Sequence, residues 1–351
     1  MKINRYKVLA AWMGAALLCT ACHTDDTPEG YPPANQAMRL YSEVTTADEE
    51  DGTEGNNPVF LFWNYGDWLG QAANPVPLYV KKSAQDINTY NRPNAPYDTG
   101  ELYPDGNRRV VATGYAPATL EPATRNDGTQ DYEHLTIPKD GYCTTDVLTS
   151  ITPLVASAAL PFDRTDGKPL RFMHALSKVT FKAKLAEDMG KFLKNVRIKL
   201  DPTLVPVAVQ WDRTNYTYKP EPGTDENFSV KQPMDANSDY YQLTSENPLT
   251  IGTAYIVTEK AELPVTITVA RAESSNATVW KDVTYKTELP FTIARNETDE
   301  WDQDKKKDTL YANEAYAFTL VFGEKGIELV GNRCPWENGG YLIVPIYPVT
   351  E

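Results

Sequence analysis

The reading of one stretch decides the fold: Leu170-Arg171-Phe172-Met173-His174-Ala175-Leu176-Ser177-Lys178-Val179-Thr180-Phe181-Lys182-Ala183-Lys184-Leu185. In its first half Leu170, Phe172, His174 and Leu176 recur at period two. In its second half the apolar residues shift to the other parity, at Val179, Phe181, Ala183 and Leu185. A strand alternates faces with period two, so a change of phase near Ser177 requires either a bulge or a crossing between two packed sheets. Leu176, Val179 and Ala183 also fit helical spacing, but Val179, Thr180 and Phe181 are poor helix formers in a row. We read a long, bent strand that crosses the middle of the chain.

Outward from this stretch the pattern is the same. Ala37 to Val44, Val59 to Trp63, Pro77 to Lys81, Arg109 to Tyr115 and Tyr132 to Ile137 read as strands separated by Pro, Gly, Asn and Asp clusters. Asp146 to Ala159 reads as a strand or a short helix, and Pro93 to Arg108 as a loop without periodicity. Beyond the centre, Val196 to Leu200, Pro206 to Trp211, Ile251 to Thr258 and Leu263 to Val269 follow. Tyr316 to Phe322 then turns through Gly323-Glu324-Lys325-Gly326 into Ile327 to Val330, a hairpin. No capped amphipathic helix of three turns interrupts them. Many short strands in a chain of 351 residues imply β-sandwiches. The polar, turn-rich Asp163-Arg164-Thr165-Asp166-Gly167 suits a boundary between two of them.

The N-terminus predicts the compartment. Lys2, Arg5 and Lys7 precede an apolar run from Val8 to Leu18 that is too short to span a bilayer, as in a cleaved signal. Leu18-Cys19-Thr20-Ala21-Cys22 resembles a lipobox, with Cys22 as the lipidated first residue of the mature chain. Residues 1–21 are then the signal peptide, and the polar, proline-rich 22–36 a tether. Loss of the three basic residues takes the formal net charge from −14 to −17. Such a surface repels phosphate backbones, which excludes a nucleic-acid partner. Cys143 and Cys334 have no spacing with His23, His134 or His174 that would suit a metal, and the sequence leaves open whether the two cysteines pair.

Four pieces together resemble one family. Phe172-Met173-His174-Ala175-Leu176-Ser177-Lys178-Val179 is similar to the F-x-H-x-L-[SA]-K-[VL] strand of the fimbrillins, lipoprotein-derived subunits of type V pili. Gly114-Tyr115-Ala116-Pro117 resembles their G-Y-x-P strand end, and Asp146-Val147-Leu148 a D-V-L element before the domain boundary. Tyr316 to Phe322 and Cys334-Pro335-Trp336-Glu337-Asn338-Gly339-Gly340 resemble their penultimate hairpin and W-x-x-G-G ending. The resemblance implies an all-β chain of two tandem transthyretin-like Greek-key sandwiches, over 37–164 and 165–351. It further implies delivery to the cell surface and outer membrane through lipid on Cys22, proteolytic removal of the first strand after a basic residue, and assembly with other fimbrial subunits by strand addition.

Arg39 is the sole Lys or Arg between Cys22 and Lys81, so it is the candidate cleavage residue. The loop Thr45 to Asn57, where shaft fimbrillins usually carry an arginine, has none. That departure favours a tip or accessory subunit over a shaft subunit. Tyr341-Leu342-Ile343-Val344-Pro345-Ile346-Tyr347-Pro348-Val349 is apolar at both parities, with Tyr341, Ile343 and Tyr347 on one and Leu342, Val344 and Ile346 on the other, as a donor strand covered on both faces would be. The ligand of such an adhesive subunit would be a host or bacterial surface molecule.

Two rival functions remain in view. An enzyme needs a convergent nucleophile, base and charge stabiliser. His174 shares a face with Leu170, Phe172 and Leu176 and reads as a core histidine, so we expect no catalysis, metal or cofactor. A surface glycan-binding β-sandwich lipoprotein is the alternative, with Trp63, Tyr65 and Trp68 as a stacking platform. The plainer reading of the same residues puts Trp63 at the end of a core strand and Trp68 in a sandwich end.

Overall fold

The computed structural model describes residues 36–46, 57–82, 96–187, 192–230, 243–287, 310–334 and 342–346, apart from a few short runs within them. Among the described residues, eleven strands precede the central stretch. They are β1 (Ala37–Leu40), β2 (Ser42–Thr46), β3 (Val59–Asn64), β4 (Asp67–Gln71), β5 (Tyr79–Lys82) and β6 (Tyr97–Leu102), then β7 (Val110–Ala116), β8 (Glu121–Thr124), β9 (Gln130–Thr136), β10 (Leu148–Ser150) and β11 (Leu154–Ala156). The central stretch forms β12 (Leu170–His174) and β13 (Ser177–Leu185). After it come β14 (Phe192–Leu200), β15 (Pro206–Asp212), β16 (Thr217–Pro222), β17 (Phe228–Ser229) and β18 (Leu249–Ile256). The last are β19 (Val265–Ala272), β20 (Lys281–Thr287), β21 (Ala315–Phe322), β22 (Ile327–Cys334) and β23 (Leu342–Ile346). Asp146 to Ala159, which the sequence left between strand and helix, is the two short strands β10 and β11.

The central stretch does cross between sheets. Leu170, Phe172 and His174 of β12 are buried within an eight-stranded sheet of order β4-β3-β7-β10-β12-β2-β5, with β11 also on β7. Ala175 and Leu176 are then both buried, and the parity changes. Ser177, Val179, Phe181, Ala183 and Leu185 of β13 are buried within a five-stranded sheet of order β18-β13-β21-β22-β23. Two consecutive inward residues are what moves a strand from one sheet to another. Backbone hydrogen bonds tie the crossing on several sides: Ala175 N–H donates to Val147 O (2.7 Å), Asn313 N–H to Leu176 O (3.3 Å) and Lys178 N–H to Glu314 O (3.1 Å). Ser177 Oγ adds a bond to Tyr311 O at 2.8 Å.

Among the described residues, three cores follow from these sheets. In the C-terminal half, Val179, Phe181, Phe318 and Leu320 of the five-stranded sheet meet Ile198, Ile267, Val269 and Tyr285 of a four-stranded sheet of order β17-β14-β19-β20. This is a β-sandwich. In the N-terminal half, Phe60, Phe62, Val110, Ala112, Leu170 and Phe172 lie on one face of the eight-stranded sheet. They pack with Met38 and Leu40 from the β1–β6 ribbon. The opposite face of β3 and β7 carries Leu61, Trp63, Val111 and Tyr115. These meet Leu135, Val209, Trp211 and Tyr218 from a four-stranded sheet of order β16-β15-β9-β8.

That last sheet joins chain from both sides of residue 165. β9 pairs antiparallel with β15, Val209 opposite Leu135 and Gln210 opposite His134. Burial on both faces accounts for β3 and β7 reading as continuous apolar runs instead of alternating ones. One expected loop is a strand: β6 lies inside Pro93 to Arg108 and pairs antiparallel with β1. Its sequence lacks alternation, and Gly100, at φ 79°, breaks its regularity. It is held instead by the buried Thr99, whose hydroxyl donates to Met38 O at 2.8 Å.

Candidate functional site

Gly114 explains why two of the motif pieces occur together. An added Cβ there would lie 2.7 Å from Phe172 Cζ and 2.8 Å from Val59 O, so the ring of the central stretch sits directly over the glycine. Phe172 also packs edge-on to Phe60, centroids 5.7 Å apart. His174, two residues on, is buried. Its Nδ1 is 2.8 Å from the Asp146 carboxylate, and its backbone N–H donates to Asn313 Oδ1 at 3.2 Å. The histidine of one motif and the aspartate of another therefore form a buried structural pair at the sheet crossing. Their position is interior, as a core histidine requires. Cys143 is a buried thiol in the C-terminal core.

An open cleft of about 780 Å³ lies where β3, β4, β9 and the turn after β15 converge. Its inner wall is a run of aromatic rings. Trp211 and Trp63 stack in the core, centroids 5.3 Å apart and 12° from parallel. Trp63 opposes Trp68 across the β3–β4 pairing, and the rings meet edge to face at 5.1 Å. Trp68 then stacks on Tyr132 of β9 at 4.6 Å and 8°. Trp63 is 2% exposed and Trp68 41%, so the series runs from core to solvent. Of the expected platform, Trp63 is therefore core wall and Trp68 is open to solvent, while Tyr65 lies outside the described residues. Tyr132 takes the second stacking position, which sequence reasoning missed. The signal was there in the i, i+2 run Tyr132, His134 and Thr136, but its partner strand was not readable.

The rim is polar and held in place. Arg125 Nη2 contacts Asp131 Oδ1 at 2.9 Å, and Arg213 pairs with Glu133. The Asp127 carboxylate accepts from the Thr129 hydroxyl at 2.6 Å and from its N–H at 2.9 Å. Tyr132 Oη donates to Gln130 Oε1 at 2.6 Å. Thr129's two bonds hold the Asp127 carboxyl below its ordinary range. For Asp131, burial raises the pKa, but the Arg125 guanidinium and the Glu133 N–H outweigh it and the net shift is downward. Arg125 and Arg213 are shifted up by their carboxylate partners, Asp131 and Glu133. All four groups stay ionised at neutral pH.

The chain ends form a second feature. β1 and β2 run in succession. β2 lies inside the eight-stranded sheet, parallel to β12 on one side and to β5 on the other. Met38, Leu40 and Val44 are buried. Arg39 points outward on β1, its side chain 51% exposed with Nε 3.8 Å from Asp98 Oδ2. At the other end β23, with Ile343, Val344 and Ile346, pairs antiparallel with β22 at the margin of the five-stranded sheet. Cys22, Tyr341 and Tyr347 lie outside the described residues. Among the described residues, no group of three or more His, Cys, Asp or Glu could hold a metal ion.

No family model matches the chain, and no curated protein does. Several solved structures are similar to it. A candidate cell adhesion protein from Bacteroides uniformis is 12% identical, with 87% of this chain and 99% of that one covered and a TM-score of 0.47. A fimbrial assembly protein from Parabacteroides distasonis is 11% identical, with 88% and 100% covered and a TM-score of 0.41. The tip fimbrial protein of Porphyromonas gingivalis, truncated at its C-terminus, is 11% identical, with 85% and 99% covered and a TM-score of 0.36. These three structures are described as adhesion and fimbrial proteins.

Proposed function

We propose that this chain is a structural or adhesive subunit of a surface fimbria, in a tip or accessory position, delivered as a lipoprotein on Cys22 and joined to other subunits by donor-strand exchange. The observation that supports it best is the placement of the two chain ends. β2 occupies an interior slot with parallel neighbours on both sides, so no tight hairpin ties it to either neighbour, and β1 before it pairs antiparallel with β6 alone. The C-terminal strand sits at a sheet margin, where backbone donors and acceptors can template another chain. Pro345 within it suits a margin, because proline withholds one donor from the ladder.

Magnitudes say what exchange requires. Full burial of Met38, Leu40 and Val44 contributes about 1.5–3 kcal/mol each. A vacated slot must be refilled by a segment of equal apolarity, and Tyr341 to Val349 has that composition. Arg39 bears on the position in the fibre. Cutting after it frees the first three residues of β1 but leaves β2 paired with both β12 and β5. Clearing β2 as well would need a cut in Thr45 to Asn57, which has no Lys or Arg. An unprocessed, chain-terminating subunit fits this better than a repeating one.

The test is to change Arg39→Ala and, separately, to delete Ile343 to Glu351, then follow incorporation into surface fibres. Thermal melting of the purified deletion variant checks that it folds. A donor role predicts that the deletion variant folds but recruits no following subunit. A slot opened by proteolysis predicts that R39A stays full length and outside the fibre, whereas an unprocessed tip predicts normal entry of R39A. Normal incorporation of both variants would sink strand exchange.

A further inference from the structure

We propose that the cleft walled by Trp68 and Tyr132 binds a neutral glycan. The aromatic surface is the first argument. Trp68 is 41% exposed on a two-stranded pairing whose facing residue, Trp63, is buried. An exposed indole gains little for folding, so its use at this position points outward. The ring is held rather than free to swing. Tyr132 stacks on it at 4.6 Å, Trp63 meets it edge to face, and Trp63 in turn rests on Trp211. A ligand that stacks here meets a surface already ordered by the fold, which lowers the entropic cost of binding. The apolar C–H face of a pyranose is the natural complement to such a surface.

The rim supplies the second argument. Gln130, Glu133 and Arg213 are planar groups with paired donors or acceptors, and such groups match adjacent sugar hydroxyls. Their contacts with Tyr132 and with each other fix their orientation. Both guanidiniums are paired, Arg125 with Asp131 and Arg213 with Glu133, while Asp67 and Asp127, the latter held by Thr129, leave the rim net acidic. Guanidiniums matched in this way beside surplus carboxylate hold little for a sulfated or acidic polymer. The aromatic wall then favours an uncharged ligand rich in hydroxyls. The volume, about 780 Å³, falls within the roughly 300–1,000 Å³ of small-ligand clefts and accommodates a short oligosaccharide.

This inference does not depend on fibre assembly, since the cleft uses none of β1, β2 or β23. The experiment is affinity electrophoresis of the purified full-length mature chain. Gels are cast with dextran, starch, galactomannan or xyloglucan and, in parallel, with chondroitin sulfate. Retardation by at least one neutral polysaccharide is expected, with apparent affinity weakened about tenfold or more in Trp68→Ala and in the milder rim variant Gln130→Ala. Leu160→Ala, an exposed apolar site elsewhere, should bind normally. Circular dichroism melts of the variants verify that they are folded. No retardation in any neutral gel, equal retardation of W68A and Q130A to the parent, or retardation by chondroitin sulfate alone would each overturn the proposal. The Ile343 to Glu351 deletion should bind glycan as the parent does, and W68A should still enter fibres, so failure of one proposal is distinguishable from failure of the other.

Discussion

A methyl group at Gly114 tests whether the two motif pieces that meet there are one structural unit. The new Cβ would sit 2.7 Å from Phe172 Cζ and 2.8 Å from Val59 O, where carbon atoms at rest prefer about 3.5–4.0 Å. Neither wall yields easily. Val59 O belongs to β3, which is paired with β7 from Val59 opposite Tyr115 to Trp63 opposite Val111. Phe172 is 2% exposed and packed against Phe60. Overpacking of this kind costs about 1–3 kcal/mol. In a chain of 351 residues that is a fall in Tm of about 1–4 °C. Differential scanning calorimetry of Gly114→Ala measures it. Phe172→Leu removes the distal ring atoms, so Gly114→Ala should cost less in that background, with a coupling of at least about 0.5 kcal/mol. An unchanged Tm for the single variant would refute the reasoning. So would strict additivity of the pair.

Other expectations can be checked alongside. His174→Ala removes the partner of a largely buried carboxylate on Asp146 and should lower stability by about 1–3 kcal/mol in urea melts while leaving adhesion and glycan retention unchanged; lost adhesion at unchanged stability would make it a functional residue. Cys22→Ala should abolish fatty-acid labelling and leave the protein soluble in the periplasm, and labelling that persists would point to Cys19 or away from lipidation. Asp131 has a folded-state pKa below its ordinary value, so its contribution is fully present above that ordinary value and is lost as pH falls through the lowered one. Glycan retention should accordingly be flat from about pH 5 to 8 and decline only below about pH 4; a decline centred near pH 6 would contradict the assignment of the rim.

What was legible in the sequence was the part written by local periodicity. The phase change at Ala175 and Leu176 appears as two packed parities, and the sheet crossing follows from it. Alternation marked β13, β19 and β21 for the same reason. Non-local pairing was not legible. Nothing in Gln130 to Thr136 says that it will lie beside Pro206 to Asp212, because an antiparallel ladder makes few demands on which strand it meets. The cleft was hidden with it. Trp68 could be suspected from its own hairpin, but Tyr132, Glu133 and Arg213 reach it only through that pairing. β6 was missed because it is held to β1 by backbone pairing and the buried Thr99 hydroxyl, and is interrupted by Gly100 in the left-handed region, none of which produces an alternating pattern.

The pairing that hid the cleft also makes it testable by dissection. We propose a fold boundary at about residue 165: residues 168 to 351 expressed alone keep all the strands of the five-on-four sandwich and its core from Val179 to Ile327, losing Cys143 from that core and the partners of β12. A cooperative all-β thermal transition is the expected result, and a persistently unfolded fragment would refute the boundary. The same fragment keeps Trp211 and Arg213 but loses Trp63, Trp68, Tyr132 and Glu133, and with β9 gone the face of Val209, Trp211 and Tyr218 is uncovered. It should therefore fold, bind an apolar dye that the full chain does not, and run unretarded through every neutral polysaccharide gel. A folded fragment that is retarded as strongly as the full chain would leave the boundary standing and remove the glycan from the cleft. The cleft needs both halves of the chain because its wall is built from one and a rim arginine, with the ring behind that wall, from the other.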